Sequence, residues 1–363
     1  MKIYEVTKAL ENWAPPVLQE SYDNSGLICG DAGWEFRKAI ICLDCLEAVV
    51  DEAVRDNANL IIAHHPIVFS GIKKLTGSSY IERTLIKAVK HDIAIYALHT
   101  NLDHVISGVS FEMATRLGLS DIRILREKSG QLLKLTTFVP AAYQELVRTR
   151  LFEAGAGNIG KYDSCSFSAP GSGTFRAGLG ANPFVGEIGE LHTEEEVRLE
   201  VIVAEWKKPA VTKALLESHP YEEVAHDWTR LENSNQQTGS GVIGMLSEPV
   251  GHNELLKRIK SVFGGTVRHT IPLKNPIRSV ALCGGSGSFL ISDAIYAGAD
   301  VYLTADLKYH QFFDADGKLM LVDIGHFESE QFTMDLILRF LQQNFANFAA
   351  RLTSVNTNPI SYL

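Results

Sequence analysis

The chain lacks most of the features that would place it outside the folded, soluble class. Cysteine is scarce, with five in 363 residues. That is too few for the dense disulfide framework of small secreted domains. No apolar run approaches the roughly 18–20 residues of a membrane-spanning helix. Basic residues are outnumbered, with 34 Lys and Arg against 43 Asp and Glu, a net charge of −9. This balance argues against a nucleic-acid or anionic-membrane partner, because both need a cationic footprint. The stretch Met1 to Gln19 carries Glu5, Glu11 and Pro15-Pro16 and reads as neither a signal nor a transit peptide. A cytoplasmic location is the expectation.

What is present is a globular composition, 45% hydrophobic and 21% charged, which excludes long disorder. The length predicts two or three domains. Cys42 and Cys45 form a lone C-x-x-C, but no second Cys or His pair stands at zinc-finger spacing. Cys42 ends the apolar run Ala39-Ile40-Ile41, so both thiols read as small core residues.

The first third alternates strands and helices. Strands are predicted at Lys38 to Leu43, Leu60 to Ala63 and Ile93 to Leu98, and helices at Leu46 to Arg55, Tyr80 to Lys90 and Val109 to Leu117. Apolar strands between amphipathic helices imply an α/β fold with a sheet covered on both faces. The middle differs. Glycines cluster at Gly155 to Gly160 and Gly171 to Gly180. Strands at Leu133 to Val139 and Val197 to Val203, with helices at Ala141 to Glu153 and Pro209 to Glu217, give β-α-β-β-α-β order, a ferredoxin-like unit. Asn233 to Gly239 reads as an exit linker. The predicted organisation is a discontinuous outer domain, 1–130 and 236–363, with an inserted domain at 131–235. A shift of 241 positions aligns a stretch of about 24 residues in the two outer halves without a gap, placing Cys42 on Cys283 and Leu60 to Ile62 on Val301 to Leu303. A duplicated fold would gather both sets of strand ends around one crevice, where α/β sheets bind ligands.

The strongest local signal is His64-His65-Pro66. Side chains alternate along a strand, so adjacent histidines at its end are hard to explain as packing alone. Two further signals place a histidine and a carboxylate four apart at a strand–helix junction: His99 with Asp103, and His326 with Glu330. A helical junction would project each pair from one face. Helix-start carboxylates are also common as caps. Together, His64, His65, His326, Asp103 and Glu330, with His99 in reserve, exceed one four-coordinate structural zinc site. They suit two divalent metals with a bridging carboxylate, and this donor set favours zinc, iron or manganese.

These motifs resemble the signatures of the Nif-three-like family, whose members are also labelled dinuclear metal-centre proteins or GTP cyclohydrolase I type 2 homologues. Tyr22-Asp23-Asn24-Ser25-Gly26-Leu27 and Thr304-Ala305-Asp306 followed by Tyr309-His310 resemble two more of its motifs. Gly157-x-x-Gly160-x-Tyr162 and His219-Pro220-Tyr221-Glu222-Glu223 resemble markers of the family's PII-like central insert. The resemblance implies a duplicated α/β domain carrying that insert. It implies that His65 and Asp103 hold one metal, that His64 and His326 hold the other, and that Glu330 bridges them. It also implies a homo-oligomer, a ring-shaped hexamer built as a trimer of dimers.

Gly155 to Tyr162 nearly spells a phosphate-binding loop but lacks the final Ser or Thr, so it reads as a turn. Gly284 to Ser288 is either a close-packed strand–helix turn or an anion-binding nest. His310, after Asp306, is either a surface residue or a proton carrier at the crevice. The candidate catalytic residues are therefore His99 and His310. Two functions fit: a metal-dependent hydrolase acting on a small molecule, or a regulatory scaffold that binds metal and carries a ligand-binding insert.

Overall fold

The structure, a computed structural model, describes residues 1–272 and 276–363. Its strands are β1 (Gly26–Cys29), β2 (Ala39–Asp44), β3 (Leu60–His65), β4 (Ala94–Ala97), β5 (Leu119–Ser129), β6 (Leu132–Pro140), β7 (Ser166–Arg176) and β8 (Leu191–Ala204). They continue with β9 (His226–Leu231), β10 (Ser234–Val250), β11 (Arg268–His269), β12 (Ile277–Ser286), β13 (Val301–Ala305), β14 (Met320–Asp323) and β15 (Ala350–Leu352). The chain divides into two compact units, Met1–Arg126 with Gln237–Leu363, and Glu127–Gln236.

The larger unit holds two mixed sheets, ordered β1-β4-β3-β2-β15 and β11-β14-β13-β12-β10-β5. In the first, β2, β3 and β4 run parallel and β1 is antiparallel to β4. In the second, β12, β13 and β14 run parallel and β11 is antiparallel to β14. The registers also correspond: Ala39 faces Leu60 and Ile41 faces Ile62, as Val280 faces Val301 and Leu282 faces Leu303. Both faces of the second sheet are buried. Val280 and Leu282 join one core with Leu255, Ile259 and Phe263, while Ala281 and Cys283 join another with Leu290 and Ile291. That alternation is the pleat of a strand covered on both sides. In the first sheet, Ile40, Cys42, Ile61 and Ala63 pack beneath Val49, Val50 and Ala53 of the helix Glu47–Arg55. Cys42 and Cys45 are buried free thiols.

The smaller unit runs β6, helix Gln144–Glu153, β7, β8, helix Lys208–Ser218, β9, and its sheet order is β7-β8-β6-β9. Leu135, Val139, Leu199 and Val201 of the sheet pack on Val147, Leu151, Val211 and Leu215 of the helices.

Two local expectations change. Residues Asn233 to Gly239, read as a linker, lie almost wholly within the long strand β10. Neighbouring backbone supplies the reason: Gln237 O accepts from Ile106 N at 3.0 Å, and Gly239 N donates to His104 O at 2.9 Å. A polar sequence does not prevent extended backbone from pairing. The helix Ile3–Trp13 was not anticipated, although Ile3, Val6 and Leu10 bury one face at helical spacing. Among the described residues, no helix is long and apolar enough to cross a membrane.

Candidate metal centre

Four histidines converge where the strands of the two sheets end. His64 and His65 close β3, His99 follows β4, and His326 starts the short helix His326–Glu330 after β14. Neighbouring ring centroids are 4.9 Å apart for His64 and His65, 5.3 Å for His65 and His326, and 5.5 Å from His99 to both His64 and His65.

Each ring is held through Nδ1 by an acceptor. His64 Nδ1 donates to Leu98 O at 2.7 Å. His65 donates to Asp44 Oδ1 at 2.8 Å, His99 to Asp23 Oδ1 at 2.7 Å, and His326 to Asp306 Oδ2 at 2.6 Å. Neither a carbonyl nor an ionised carboxylate can donate, so Nδ1 carries a hydrogen, and in the neutral ring Nε2 is left with the lone pair. This is the arrangement that orients metal-binding histidines. Asp23 also accepts from the Thr100 backbone N–H at 3.0 Å and from the Thr100 hydroxyl.

Glu330, only 3% exposed, lies in the middle of the group. Its Oε2 is 2.9 Å from His65 Nε2 and 3.0 Å from His326 Nε2, and its Oε1 is 3.7 Å from His64 Nε2. One helical turn brings His326 and Glu330 together, as i, i+4 spacing requires. Asp103 Oδ1 is 3.9 Å from His64 Nε2. Gly285 leaves room for the carboxylate: a Cβ there would lie 2.3 Å from Glu330 Oε1, and its φ of +61° also favours glycine.

The electrostatics reflect crowded opposite charges. Burial alone would lower the His65 pKa, but hydrogen bonds to Asp44 and Glu330 override it and raise it to about 9. His326, against Asp306 and Glu330, is raised to about 11 despite its burial. Burial and the Glu330 charge push Asp103 up to about 7. Burial would raise Glu330, but the surrounding histidines hold it well below the usual carboxylate range. Asp23 is likewise held at about 2 against its burial by His99 and Thr100.

These donors fit divalent metal. His65 Nε2 and His326 Nε2 face each other at 3.4 Å. With both Nδ1 hydrogens committed, two lone pairs meet there unless a cation or a proton lies between them. Tetrahedral coordination at about 2.0–2.2 Å spaces donor atoms about 3.4 Å apart, close to these separations. His64 Nε2 and Asp103 Oδ1 are buried without hydrogen-bond partners among the described residues, which is costly for polar atoms unless something binds them. The donor atoms of His64, His65 and Glu330 all lie within 4.8 Å of one another.

The distances group the donors differently from the pairing that the resemblance implies. Glu330 Oε1 faces His64, with Asp103 beyond it, whereas Glu330 Oε2 faces His65 and His326. The reason is geometric. His65 leans toward the second sheet, where His326 sits, while His64 is tied back to Leu98.

A cleft of about 820 Å³ opens beside the cluster, lined by His65, His99 and His326 together with Asp44, Phe69 and Lys73. The Phe69 ring lies 5.5 Å from that of His99. His310 is not among the residues that line this cleft. It is exposed in the turn Tyr309–Ala315 with its ring 5.2 Å from Tyr309, and no hydrogen bond or ring contact joins it to the cluster among the described residues. The Gly284 to Ser288 turn offers no free nest at its start, since Gly284 N donates to Ser110 Oγ and Gly285 N to Ser329 Oγ.

Sequence reasoning missed Asp44 entirely and gave no role to Asp23 or Asp306. Asp44 stands 21 residues from His65, and only the β2–β3 register makes them neighbours.

Comparison with known proteins finds relatives that match over nearly the whole chain. The chain is 38% identical over 365 residues to the Halalkalibacterium halodurans protein called GTP cyclohydrolase 1 type 2 homolog, covering 99% of this chain and 98% of that one. The Bacillus subtilis protein of the same name is 37% identical over 366 residues, with 99% and 98% covered. A crystal structure of a Bacillus cereus protein related to NIF3 superposes with a TM-score of 0.87 at 34% identity, covering 100% of this chain and 99% of that one. Residues 1–359 match the description of Duf34/NIF3 (NGG1p interacting factor 3), and the chain belongs to that family.

Proposed function

We propose that this chain is a hydrolase that works with two divalent metals, zinc first, iron or manganese otherwise. The observation that carries the reading is the position of Glu330, with one carboxylate oxygen toward His64 and the other toward His65 and His326. His64, Asp103 and Glu330 Oε1 would hold one ion, and His65, His326 and Glu330 Oε2 the other. When bound, the ions supply Lewis acidity to a substrate oxygen and acidity to a water molecule. Asp44 and Asp306 keep the ligand imidazoles in the tautomer that offers Nε2. His99, anchored by Asp23, keeps its own Nε2 available to hold or pass a proton at the edge of the cleft. The adjoining cleft supports an enzyme over a closed structural site, because a reactant has room beside His65, His99 and His326. The name carried by the curated relatives makes a guanine nucleotide the first substrate to test.

In the same reading the segments 1–130 and 236–363 are a duplicated α/β domain. Segment 131–235 is an inserted PII-like module of ferredoxin-like order. The working form is a cytoplasmic ring hexamer, a trimer of dimers.

The test begins with elemental analysis of protein purified without added metal. Two equivalents per chain are expected, and Glu330→Gln should lose both. Retention of one full equivalent would show that Glu330 is not a bridge. A hydrolase screen over nucleotides and phosphoesters follows, and turnover that survives complete metal removal would overturn the mechanism.

A further inference from the structure

A second hollow, of about 790 Å³, lies wholly within the unit Glu127–Gln236. Its walls are aromatic. The rings of Phe175 and Phe184 each stand 6.2 Å from that of Tyr221, and Tyr143 meets Phe184 edge-on at 5.5 Å. Tyr221 is locked in place. Its backbone N–H donates to His219 Nδ1 at 3.1 Å, and the opposite edge of that imidazole donates from Nε2 to Phe138 O at 2.9 Å. The His219 ring is 4.9 Å from the Tyr221 ring.

The polar side of the hollow carries three carboxylates, Glu196, Glu222 and Glu223, against two arginines, Arg176 and Arg198. Glu196 on β8 lies over the glycine tract of β7, where Gly171 is its register partner. A Cβ at Gly173 would lie 2.2 Å from Glu196 Oε2, so the missing side chain is what admits the carboxylate. The Tyr221 hydroxyl is buried and makes no direct hydrogen bond among the described residues. Burial and the nearby Glu196 charge raise its pKa, so it stays a neutral phenol. Of the other charges on the rim, Arg176 and Glu223 oppose each other in sign, and the remaining two have partners. Arg198 turns to Glu200 at 2.5 Å, and Glu222 accepts from Asn182 N at 2.8 Å.

An anion would meet Glu196 here, and a bare metal ion would find too few oxygen donors. A compact organic cation meets ring faces and a carboxylate at once, the combination that selects alkylammonium groups. We propose that this hollow binds a small organic cation, a trimethylammonium or similar alkylammonium group, with Glu196 as counter-charge and Phe175, Phe184 and Tyr221 as its aromatic wall. The site uses no residue of the metal centre, so it stands or falls independently of the hydrolase reading.

The probe is choline, titrated calorimetrically into the full-length protein. The control is its uncharged carbon isostere, in which a tert-butyl group replaces the trimethylammonium. Saturable binding of choline is expected, with the isostere at least about tenfold weaker. Glu196→Gln and Phe184→Ala should each weaken choline about tenfold while metal content is unchanged. Phe184 is exposed on a loop, so that variant tests the wall without disturbing the core. Absence of saturation by choline, equal binding of the isostere, or full affinity in a folded Glu196→Gln protein would each overturn the proposal.

Discussion

Asp44 and His65 end two neighbouring parallel strands as register partners, and the Asp44 carboxylate accepts the Nδ1 hydrogen of His65 at 2.8 Å. The second Asp44 oxygen accepts from the Thr357 hydroxyl at 3.0 Å, so the segment after β15 steadies the same carboxylate. Asp44→Ala should therefore free the His65 ring to rotate and change tautomer. Metal affinity on the His65 side should fall by about 10–100-fold, the usual effect of losing such a support. A chelator competition titration measures it. An unchanged affinity would mean that the strand end alone orients His65.

Metal uptake should release protons. In the metal-free protein His65 is raised to about 9 and His326 to about 11, so both are protonated at neutral pH. Metal must displace those protons, so affinity weakens as pH falls. Titration calorimetry in buffers of different ionisation enthalpy reads the released protons directly. The sign for metal-free stability is the opposite. Raised histidine values stabilise the fold below the ordinary 6.5, and the contribution is lost as pH rises through about 9 and then about 11.

Gly285→Ala should damage the centre more than the fold. The added Cβ would meet Glu330 Oε1, and a positive φ penalises alanine as well. A stability loss of about 1–3 kcal/mol is expected from the combined crowding and strain, together with loss of metal from both positions. Urea denaturation and elemental analysis separate the two effects. Normal metal content in this variant would show that Glu330 has room to move.

Glu52 should make the fold acid-sensitive. Buried in the helix Glu47–Arg55, it accepts from Ser354 N and pairs with Arg351 Nη1, both at 2.8 Å, and also accepts the Thr353 and Ser354 hydroxyls. Burial would raise its pKa, but these donors hold it at about 2 against an ordinary 4.5. A depressed carboxylate stabilises the fold above 4.5, and that contribution is lost as pH falls toward 2. Glu52→Gln should cost about 1–3 kcal/mol at neutral pH. The gap from the parent protein should close on acidification, as followed by urea unfolding at several pH values.

The amino-acid order by itself determined the elements whose burial is complete. Ile40 to Cys42 and Leu60 to Ala63 are fully buried, so their uninterrupted apolar runs announce strands covered on both faces. The helices Tyr80–Lys90 and Val109–Leu117 were legible to the residue from their spacing. Adjacent His64 and His65 also stood out, because alternation makes two neighbouring imidazoles hard to explain as packing alone. Tertiary structure alone decided the rest. Asp44 reaches His65 through strand register, and His65 reaches Glu330 across 265 positions of sequence. Polar Asn235 to Gly239 belong to β10 because other segments supply their backbone partners. His310, adjacent in sequence to a plausible role, was carried out to the surface by the turn that follows Asp306. Local pattern records which side of an element is buried, whereas a site made of strand ends depends on register and on which sheets meet, and no single segment encodes either.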